Sequence, residues 1–357
     1  MNRRAFLAAS GLGLLGGCAS RESDTNGTET TAATAEQTAV ATDKSATVAT
    51  DESTAAEAGG ETPFRGVSLS PRSYSDDEFT EFFEHVRETD LAVRWAGNWQ
   101  DLAADEGAPA VVCTLAEQYG YQPIIETGVY SVDAGELFQP LDEAGQAAFV
   151  ETVSDFAAEW KPPYFGIGVE VNLHAEDEPE QFETFVSLFA DTYDAIKDAS
   201  PSTQVYTGFQ LEWMRGLRGG VFGGENDASQ AQWDLLDRFP KADLVAFTSY
   251  PDLVFERPAD IPDEYYVEAA DRVEKPIAIT ETGWAATPRD IGWERTEAQQ
   301  VAFVERLSNL TKPVDVAMLV WLWMYDQGGD TAAFDDMTLR RPDGSARPVW
   351  DAWTTVV

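Results

Sequence analysis

Eight short apolar segments, each followed by a stretch long enough for a helix, constrain the fold of this chain more than any other feature. The first segment begins at Phe64 and the eighth ends at Trp323, and the intervening stretches carry apolar residues at helical spacing, such as Val304 and Leu307. This alternation is typical of consecutive βα units with parallel strands. Eight such units close into a barrel whose interior is filled by side chains. We therefore predict an α/β fold, a (β/α)8 TIM barrel, over residues 63–357.

The apolar segments also give bounds for the predicted elements. Strands are expected at residues 64–69, 91–95, 122–127, 165–172, 205–209, 243–250, 276–280 and 316–323, and helices at 76–87, 110–119, 145–160, 181–199, 233–239, 262–273 and 296–310, with a last helix ending near 353. An open doubly wound sheet is the alternative, and it would normally carry a glycine-rich phosphate-binding turn after its first strand. The segment Ser68-Leu69-Ser70-Pro71-Arg72 stands there instead, which favours the closed barrel.

Residues 1–18 form a processing segment that lies outside the predicted fold. Arg3 and Arg4 precede a short apolar stretch, which ends in Leu15-Gly16-Gly17-Cys18. The arginine pair resembles a Tat signal, and the last four residues resemble a lipobox. These resemblances imply export of a folded protein, cleavage before Cys18 and lipidation of that cysteine. We expect the chain to be secreted or held on the outer face of the cytoplasmic membrane through the lipid on Cys18 alone.

Amino-acid composition distinguishes a linker from the barrel, and the net charge limits the kinds of molecule that the protein can bind. Residues 19–62 are mainly Ser, Thr, Ala, Glu and Asp, which predicts a disordered linker because almost no apolar surface is available for burial. The whole chain has 63 Asp and Glu against 24 Lys and Arg, a formal net charge of −39. Such a surface repels nucleic acid. It resembles the proteins of salt-loving archaea, in which molar salt screens the self-repulsion.

Polar residues at the ends of the predicted strands are the candidates for chemistry, since the active site of such a barrel lies at the carboxyl ends of its strands. They are Arg94 after strand two, Glu126 after strand three, Glu170 and Asn172 after strand four, Tyr250 after strand six, Glu281 and Trp284 after strand seven, and Trp323 after strand eight. Hydrolysis of a glycosidic bond needs one protonated carboxyl and one ionised carboxylate. Strands four and seven face each other across the barrel, so Glu170 and Glu281 are the candidate catalytic pair.

Two segments around these carboxylates resemble known glycoside hydrolases. The segment Ile279-Thr280-Glu281-Thr282-Gly283-Trp284 is very similar to the nucleophile segment of the β-1,3-glucanase and endo-β-1,4-galactanase families of clan A, and Ile167-Gly168-Val169-Glu170-Val171-Asn172 resembles their acid/base strand. The resemblance implies that Glu281 is the nucleophile, Glu170 the acid/base, Arg94 the electrostatic support of Glu281, Tyr250 its hydrogen-bond donor and Trp323 the floor of the sugar site. Glu126, Asn172 and Trp284 complete the expected substrate-binding set.

One residue departs from the pattern of these families. They usually place Asn immediately before the acid/base, where it binds a sugar hydroxyl, and this chain has Val169. Asn172 is a candidate replacement, but alternation along a strand would put residues 170 and 172 on one face, two residues apart. We therefore expect Asn172 to share the pocket without occupying the position of the missing Asn. The first hypothesis is therefore a retaining glycosidase acting on an extracellular carbohydrate. The alternative is a catalytically inactive carbohydrate-binding lipoprotein on the same barrel, and a third, a transporter's solute-binding lipoprotein, is disfavoured by the single-barrel pattern.

Other chemistries find little support in the sequence. The two histidines and the one mature cysteine, Cys113, are far apart along the chain and form no spaced metal-binding motif. The Gly-x-Ser-x-Gly elbow of a serine hydrolase is absent as well. We therefore expect no metal and no cofactor, and we expect Cys113 to be a buried packing residue without a disulfide partner in the mature chain.

The net charge of −39 predicts a fold that depends on salt. Raising NaCl from about 0.1 M to about 1 M shortens the Debye length from about 10 Å to about 3 Å, which screens repulsion between carboxylates. We expect the midpoint of thermal unfolding to rise across this range, measured by circular dichroism on residues 63–357. Sucrose at matched osmolality is the control for excluded-solute effects. A midpoint that does not change with NaCl would contradict the prediction.

Overall fold

The computed structural model describes residues 63–132, 134–288, 291–327, 334 and 336–355. The predicted signal segment (residues 1–18), with its lipidation site Cys18, and the predicted linker (19–62) lie outside the described residues. Within the described part of the chain, no helix is both long enough and apolar enough to cross a membrane.

Eight parallel strands close into a barrel, which confirms the predicted (β/α)8 TIM fold. The strands are β1 (Phe64–Ser68), β2 (Ala92–Asn98), β3 (Pro123–Gly128), β4 (Tyr164–Ile167), β5 (Gln204–Gln210), β6 (Leu244–Ser249), β7 (Ile277–Thr282) and β8 (Val316–Trp321). Each strand pairs with the next along the chain, and β8 closes the barrel on β1 with Trp321 opposite Val67. A separate antiparallel pair, Tyr130–Ser131 with Glu136–Leu137, lies after β3.

Helices follow the strands, although they vary in length. They are α1 (Asp76–Thr89), α2 (Ala108–Tyr119), α3 (Glu143–Trp160), α4 (Val171–Asp177), α5 (Pro179–Ala199), α6 (Leu211–Met214), α7 (Val267–Ala270), α8 (Glu297–Thr311) and α9 (Pro348–Thr355). Short 3-10 turns span Trp99–Ala103, Gly220–Phe222, Ala228–Gln230, Trp233–Arg238, Pro251–Leu253 and Pro258–Asp260. The longest helix, α5, begins with a proline, whose missing N–H would have no helical partner there.

Two of the predicted helices are shorter than expected. In place of the first there is only a 3-10 turn, Trp233–Arg238, and residues 262–273 contain only the single turn α7. In the second segment the consecutive residues Tyr265 and Tyr266 are both buried, with their rings nearly perpendicular. Consecutive residues of an α-helix point in different directions, so one helix face cannot bury both rings against the barrel.

Strand alternation divides the core into two layers. One apolar cluster fills the barrel interior with alternate strand residues, namely Ala92, Ile124, Tyr206, Leu244, Ala246, Ala278, Met318 and Val320. The residues between them in sequence, such as Val93, Ile125 and Ile279, join the larger cluster between barrel and helices. The interior cluster therefore identifies which residues of each strand point inward. Arg94, Glu126 and Thr248 each lie two residues after a member of this cluster, so they point inward as well.

A glycine in β4 makes room for the interior polar residues. A Cβ added to Gly166 would lie 2.7 Å from Glu126 Cγ and 2.8 Å from a ring carbon of Tyr206. Gly208 on the neighbouring strand β5 is less crowded, since its nearest atom would be 3.5 Å away.

We predict that Gly166→Ala lowers the free energy of unfolding by about 1–3 kcal/mol, the usual cost of overpacking a filled interior. Gly208→Ala is the matched control, because the added methyl makes ordinary contacts there. Equilibrium unfolding in urea measures both variants. Equal effects of the two substitutions would show that the contact with Glu126 and Tyr206 does not limit the size of residue 166.

Candidate active site

Glu281 reaches the barrel interior because strand β7 contains an irregularity. Ala278 points inward, so strict alternation would turn Glu281 outward, toward the helices. The register of β7 shifts by one residue against both neighbours: Phe247 pairs with Ile279, whereas Thr248 pairs with Glu281. Such a bulge reverses the side-chain parity and often occurs beside active sites. It places Glu281 level with the inward-facing Thr248.

Arg94 lies between two buried carboxylates. Its Nη2 is 2.6 Å from Glu281 Oε1, and its Nε donates to Glu126 Oε2 at 2.6 Å. The other oxygen of Glu126 accepts from the hydroxyl of Tyr206 at 2.8 Å, and Arg94 Nη1 donates to Ser68 Oγ at 3.2 Å. Arg94 is 1% exposed, so these contacts operate without competition from bulk water. Arg94 is therefore placed to support Glu281 electrostatically, as expected. Glu126 contacts Arg94 through the guanidinium Nε.

The hydroxyl of Tyr250 donates to Glu281 Oε2, so both oxygens of Glu281 are engaged. Burial raises the pKa of Glu281, while Arg94 and the Tyr250 hydroxyl oppose that rise by stabilising the carboxylate. Burial and the charge of Glu281 raise the pKa of Tyr250 far above its ordinary value, so the phenol keeps its proton. Burial alone would lower the pKa of Arg94, but Glu126 and Glu281 outweigh it and raise that pKa.

Glu170 lies beyond the end of a strand that is shorter than predicted. Strand β4 ends at Ile167, and the chain then turns through Gly168 at φ +89° and Glu170 at φ +52°. A non-glycine residue in this left-handed region costs about 1–2 kcal/mol and is often found at functional sites. The turn brings Glu170 Oε1 to 2.6 Å from the Thr248 hydroxyl, which donates to it.

The two candidate carboxylates therefore contact residues at the end of the same strand, β6. Thr248, which binds Glu170, is the register partner of Glu281 on the adjacent strand. Tyr250, two residues later, binds Glu281. Glu170 therefore reaches across β5 to β6, the strand that pairs with β7 and lies about 4.8 Å from it.

Asn172 does not lie beside Glu170 in the way the sequence suggested. Residues 171–177 form α4, so the alternation assumed for residues 170 and 172 is wrong. The side-chain amide of Asn172 donates to the carbonyl of Gln210 at 3.2 Å and to Gln232 Oε1 at 2.9 Å, and its oxygen accepts from the Gln210 N–H at 2.8 Å. Asn172 is fully buried and joins α4 to the end of β5, which does not fit the expected contact with substrate.

The two expected tryptophans occupy different layers. Trp323, after β8, packs at the barrel mouth in a cluster with Leu173, Trp213, Tyr250, Leu253, Val254, Ala285, Leu322, Phe334 and Met337. Trp284 is fully buried, with Phe303 at 5.2 Å from its ring and the Arg295 guanidinium at 4.8 Å. A ring enclosed in this way offers no face to a sugar, so the substrate-binding prediction for Trp284 is not supported by its position.

Sequence reasoning missed several residues of this region. Tyr206 and Thr248 supply hydroxyls to the carboxylates, and Glu212 and Trp213 follow β5 at the same end of the barrel. The segment after strand five, Gln210-Leu211-Glu212-Trp213, carries the polar and aromatic signal that marks the other strand ends. Among the described residues, no group of three or more His, Cys, Asp or Glu side chains is arranged to hold a metal ion.

Comparisons with known proteins identify the fold. No protein-family model matches the chain, and no curated protein matches it. Among solved structures, it is similar to a family 39 glycoside hydrolase from Bacteroides cellulosilyticus WH2, with a TM-score of 0.57 and 17% identity over 81% of this chain and 62% of that one. It is also similar to the GH53 catalytic domain of Ignisphaera aggregans, with a TM-score of 0.56 and 17% identity over 81% of this chain and 95% of that one.

A third similar structure is the exo-β-1,4-mannosidase of Opitutaceae bacterium strain TAV5, with a TM-score of 0.59 and 14% identity over 83% of this chain and 59% of that one. The chain thus spans about 60% of the length of two of these relatives. At these identities the likeness shows a fold shared with glycoside hydrolase barrels.

We predict that Arg94→Met costs about 3–5 kcal/mol of unfolding free energy at pH 7, because it leaves Glu126 and Glu281 buried without their cation. Burial already raises the pKa of Glu281, and without Arg94 that pKa lies further above its unfolded value. The folded protein then binds more protons than the unfolded chain, so the loss shrinks as the pH falls through the raised pKa of Glu281. Urea unfolding of the variant and the wild type at pH 7 and pH 5 tests this sign.

Arg238→Met is the matched control. It removes an ion pair with Glu183 whose side chains are 35% and 61% exposed, so we expect no measurable change in stability. A loss in Arg94→Met that is equal at the two pH values would contradict the buried-charge explanation.

Proposed function

We propose that this protein is a retaining glycoside hydrolase that acts on a poly- or oligosaccharide outside the cell, with Glu281 as nucleophile and Glu170 as acid/base. One observation carries the proposal. Two carboxylates from opposite sides of the barrel mouth, Glu170 and Glu281, are bound by Thr248 and Tyr250 at the end of β6. A retaining mechanism requires two carboxyl groups about 5–5.5 Å apart, flanking the scissile bond.

The surroundings of the two carboxylates support different roles. Arg94 and the Tyr250 hydroxyl stabilise the ionised form of Glu281, which is the form that attacks carbon. Glu170 lies after β4 and accepts a hydrogen bond from the neutral hydroxyl of Thr248. In the proposed reaction it protonates the leaving oxygen. Carboxyls with different environments can hold different protonation states at one pH.

The proposed reaction proceeds in two displacement steps. A Glu281 oxygen forms a bond to the anomeric carbon while the bond to the leaving oxygen breaks, and Glu170 gives its proton to that oxygen. This leaves a glycosyl ester on Glu281 and an ionised Glu170. Glu170 next takes a proton from water, whose oxygen attacks the anomeric carbon and releases Glu281. Two inversions give net retention, and no step needs a metal or a cofactor.

The comparisons support a carbohydrate as substrate without naming the sugar. The similar structures are described as glycoside hydrolases, one of them as an exo-β-1,4-mannosidase. Trp323 at the mouth, which is 8% exposed, has an aromatic ring suited to the apolar face of a sugar. The proposed extracellular site of action rests on the Tat-like and lipobox-like residues that end at Cys18.

A carbohydrate-binding lipoprotein without turnover is the second candidate, and a specific observation favours it. Val169 stands where the resembling families usually have Asn, and Asn172 is occupied by Gln210 and Gln232. A hydrogen bond from the missing Asn to the sugar hydroxyl would strengthen in the transition state. Its loss lowers the rate more than it lowers binding of the ground state.

The test is hydrolysis of aryl glycosides and of β-glucan, galactan and mannan polymers in molar salt. We expect turnover of at least one substrate, with the anomeric configuration retained when the products are followed by proton NMR. Glu281→Gln should lower kcat by about 10³-fold or more, since it removes the nucleophile. Surface Glu183→Gln is the control and should leave kcat unchanged. Intact cells assayed with an impermeant polymer test the site of action.

Azide distinguishes the two roles. Added azide should restore activity to Glu170→Ala and yield a glycosyl azide of retained configuration, because azide attacks the ester on Glu281. In Glu281→Ala it should yield the opposite anomer by direct displacement. Inverted products from the wild type would overturn the retaining assignment. A folded wild type that binds one of the polymers without turnover would establish the carbohydrate-binding candidate.

A further inference from the structure

Glu212 is a buried carboxylate that the proposed reaction does not use. It lies in α6, immediately after β5, and is fully enclosed. Its oxygens accept from the Tyr265 hydroxyl at 2.6 Å, Gln210 Nε2 at 2.6 Å and Ser249 Oγ at 3.2 Å, and the main-chain N–H of Tyr250 also donates to it. These donors, together with the N–H of Glu212 itself, are all neutral. Loss of the carboxylate would leave them buried without an acceptor, so Glu212 fixes the positions of the groups that donate to it.

The position of Glu212 relative to β6 connects it to the candidate site. Thr248 and Tyr250 point into the barrel, and Ser249 between them points toward the surrounding helices. Thr248 binds Glu170 and Tyr250 binds Glu281 on the inner side. On the outer side, Glu212 binds the hydroxyl of Ser249 and the N–H of Tyr250. Glu212 thus binds the outer side of residues 248–250. The inner side of the same segment contacts both candidate catalytic carboxylates.

A second set of contacts extends from Glu212 to the bulged strand. The Ser249 hydroxyl is 3.0 Å from the Tyr266 hydroxyl, and Thr282 is close enough to Tyr266 to lower its pKa. Thr282 follows Glu281 and is the register partner of Ser249. These contacts lie where β6 pairs with β7, at the place where the bulge turns Glu281 inward.

We propose that Glu212 is a positioning residue, which holds the end of β6 so that the hydroxyls of Thr248 and Tyr250 stay against Glu170 and Glu281. The inference rests on the proposed function for the roles of the two carboxylates. An amide cannot replace Glu212 fully. In one orientation its NH2 would face the Gln210 amide, which is also a donor, and in the other it would replace the oxygen that accepts from Tyr265 and Ser249. A carboxylate accepts from all of them at once.

The electrostatics of Glu281 provide a readout of this positioning. Three groups act on Glu281, namely the charges of Arg94 and Glu126 and the hydroxyl of Tyr250. Glu170 acts in turn on Tyr250, whose pKa it raises. Arg94 and the Tyr250 hydroxyl lower the pKa of Glu281, whereas burial and Glu126 raise it. Displacing Tyr250 removes one lowering contact, so the pKa of Glu281 rises. The acid limb of the pH profile of kcat/KM must then move to higher pH.

The experiment compares Glu212→Gln, which keeps the side-chain volume, with the wild type. We expect kcat to fall about tenfold or more with KM nearly unchanged, the signature of an interaction made in the transition state. We expect the acid limb to shift to higher pH and the effect of adding Tyr250→Phe to be less than additive. Tyr265→Phe, which deletes one donor to Glu212, is a milder second variant and should shift the limb in the same direction.

The matched control is Asp243→Asn at the opposite end of β6. Asp243 is also a carboxylate that accepts a main-chain N–H, from Val205 at 2.8 Å, and a tyrosine hydroxyl, from Tyr193 at 3.0 Å. This variant should lose stability but keep the wild-type pH profile. A shift of the acid limb in Asp243→Asn as large as that in Glu212→Gln would overturn the positioning role.

A titration that needs no turnover separates this inference from the proposed function. Carbon-13 labelling of glutamate carboxyls, with the Glu281 signal assigned by its loss in Glu281→Gln, reports the pKa of Glu281 directly. A rise of that pKa in Glu212→Gln and Tyr265→Phe supports the inference, even if the wild type hydrolyses none of the sugars. An unchanged pKa in the folded variants overturns it, even if the wild type proves to be a glycosidase.

Discussion

The ion pairs of Arg94 are the constraint on which the rest of the barrel mouth depends. Below Arg94 the interior is filled by apolar side chains, and Glu126 and Glu281 on either side are 2% and 1% exposed. Two carboxylates in such surroundings need a shared cation, since a buried charge without a partner costs several kcal/mol. The planar guanidinium can bind both at once, which a lysine could not do with the same geometry. Gly166 leaves the space in which Glu126 reaches Arg94 and Tyr206.

The end of β6 is a second constraint on the site, because its two faces contact different groups. Alternation directs Thr248 and Tyr250 toward the carboxylates and Ser249 toward Glu212. A strand end is otherwise free to fray, since its last groups lack ladder partners. Hydrogen bonds on the outer face therefore help to fix the positions of Thr248 and Tyr250 on the inner face. In this way the buried contacts of Glu212 affect the geometry of the candidate catalytic residues.

Several site features were accessible from the sequence, and others were not. Strand-end position was enough to select Arg94, Glu126, Glu170, Tyr250 and Glu281. The structure joins four of them by direct contacts, and the fifth, Glu170, binds Thr248 two residues before Tyr250. The errors arose where the local backbone departs from a regular period. Asn172 was assigned to a strand but lies in a helix, and Trp284 was assigned to the mouth but packs against Phe303. Both follow a turn or bulge that propensity does not reveal.

The sequence by itself determined the class of fold and the strand ends that carry polar groups, because apolar periodicity reflects burial that every βα unit must achieve. Only the tertiary structure decided which of those groups face one another. The bulge in β7 reverses the side of Glu281, and the left-handed turn at Glu170 directs that residue toward β6. Both depend on contacts between strands distant in sequence, such as Thr248 with Glu170 and Arg94 with Glu281. Such contacts act only after the barrel has closed, so no local pattern of residues can encode them.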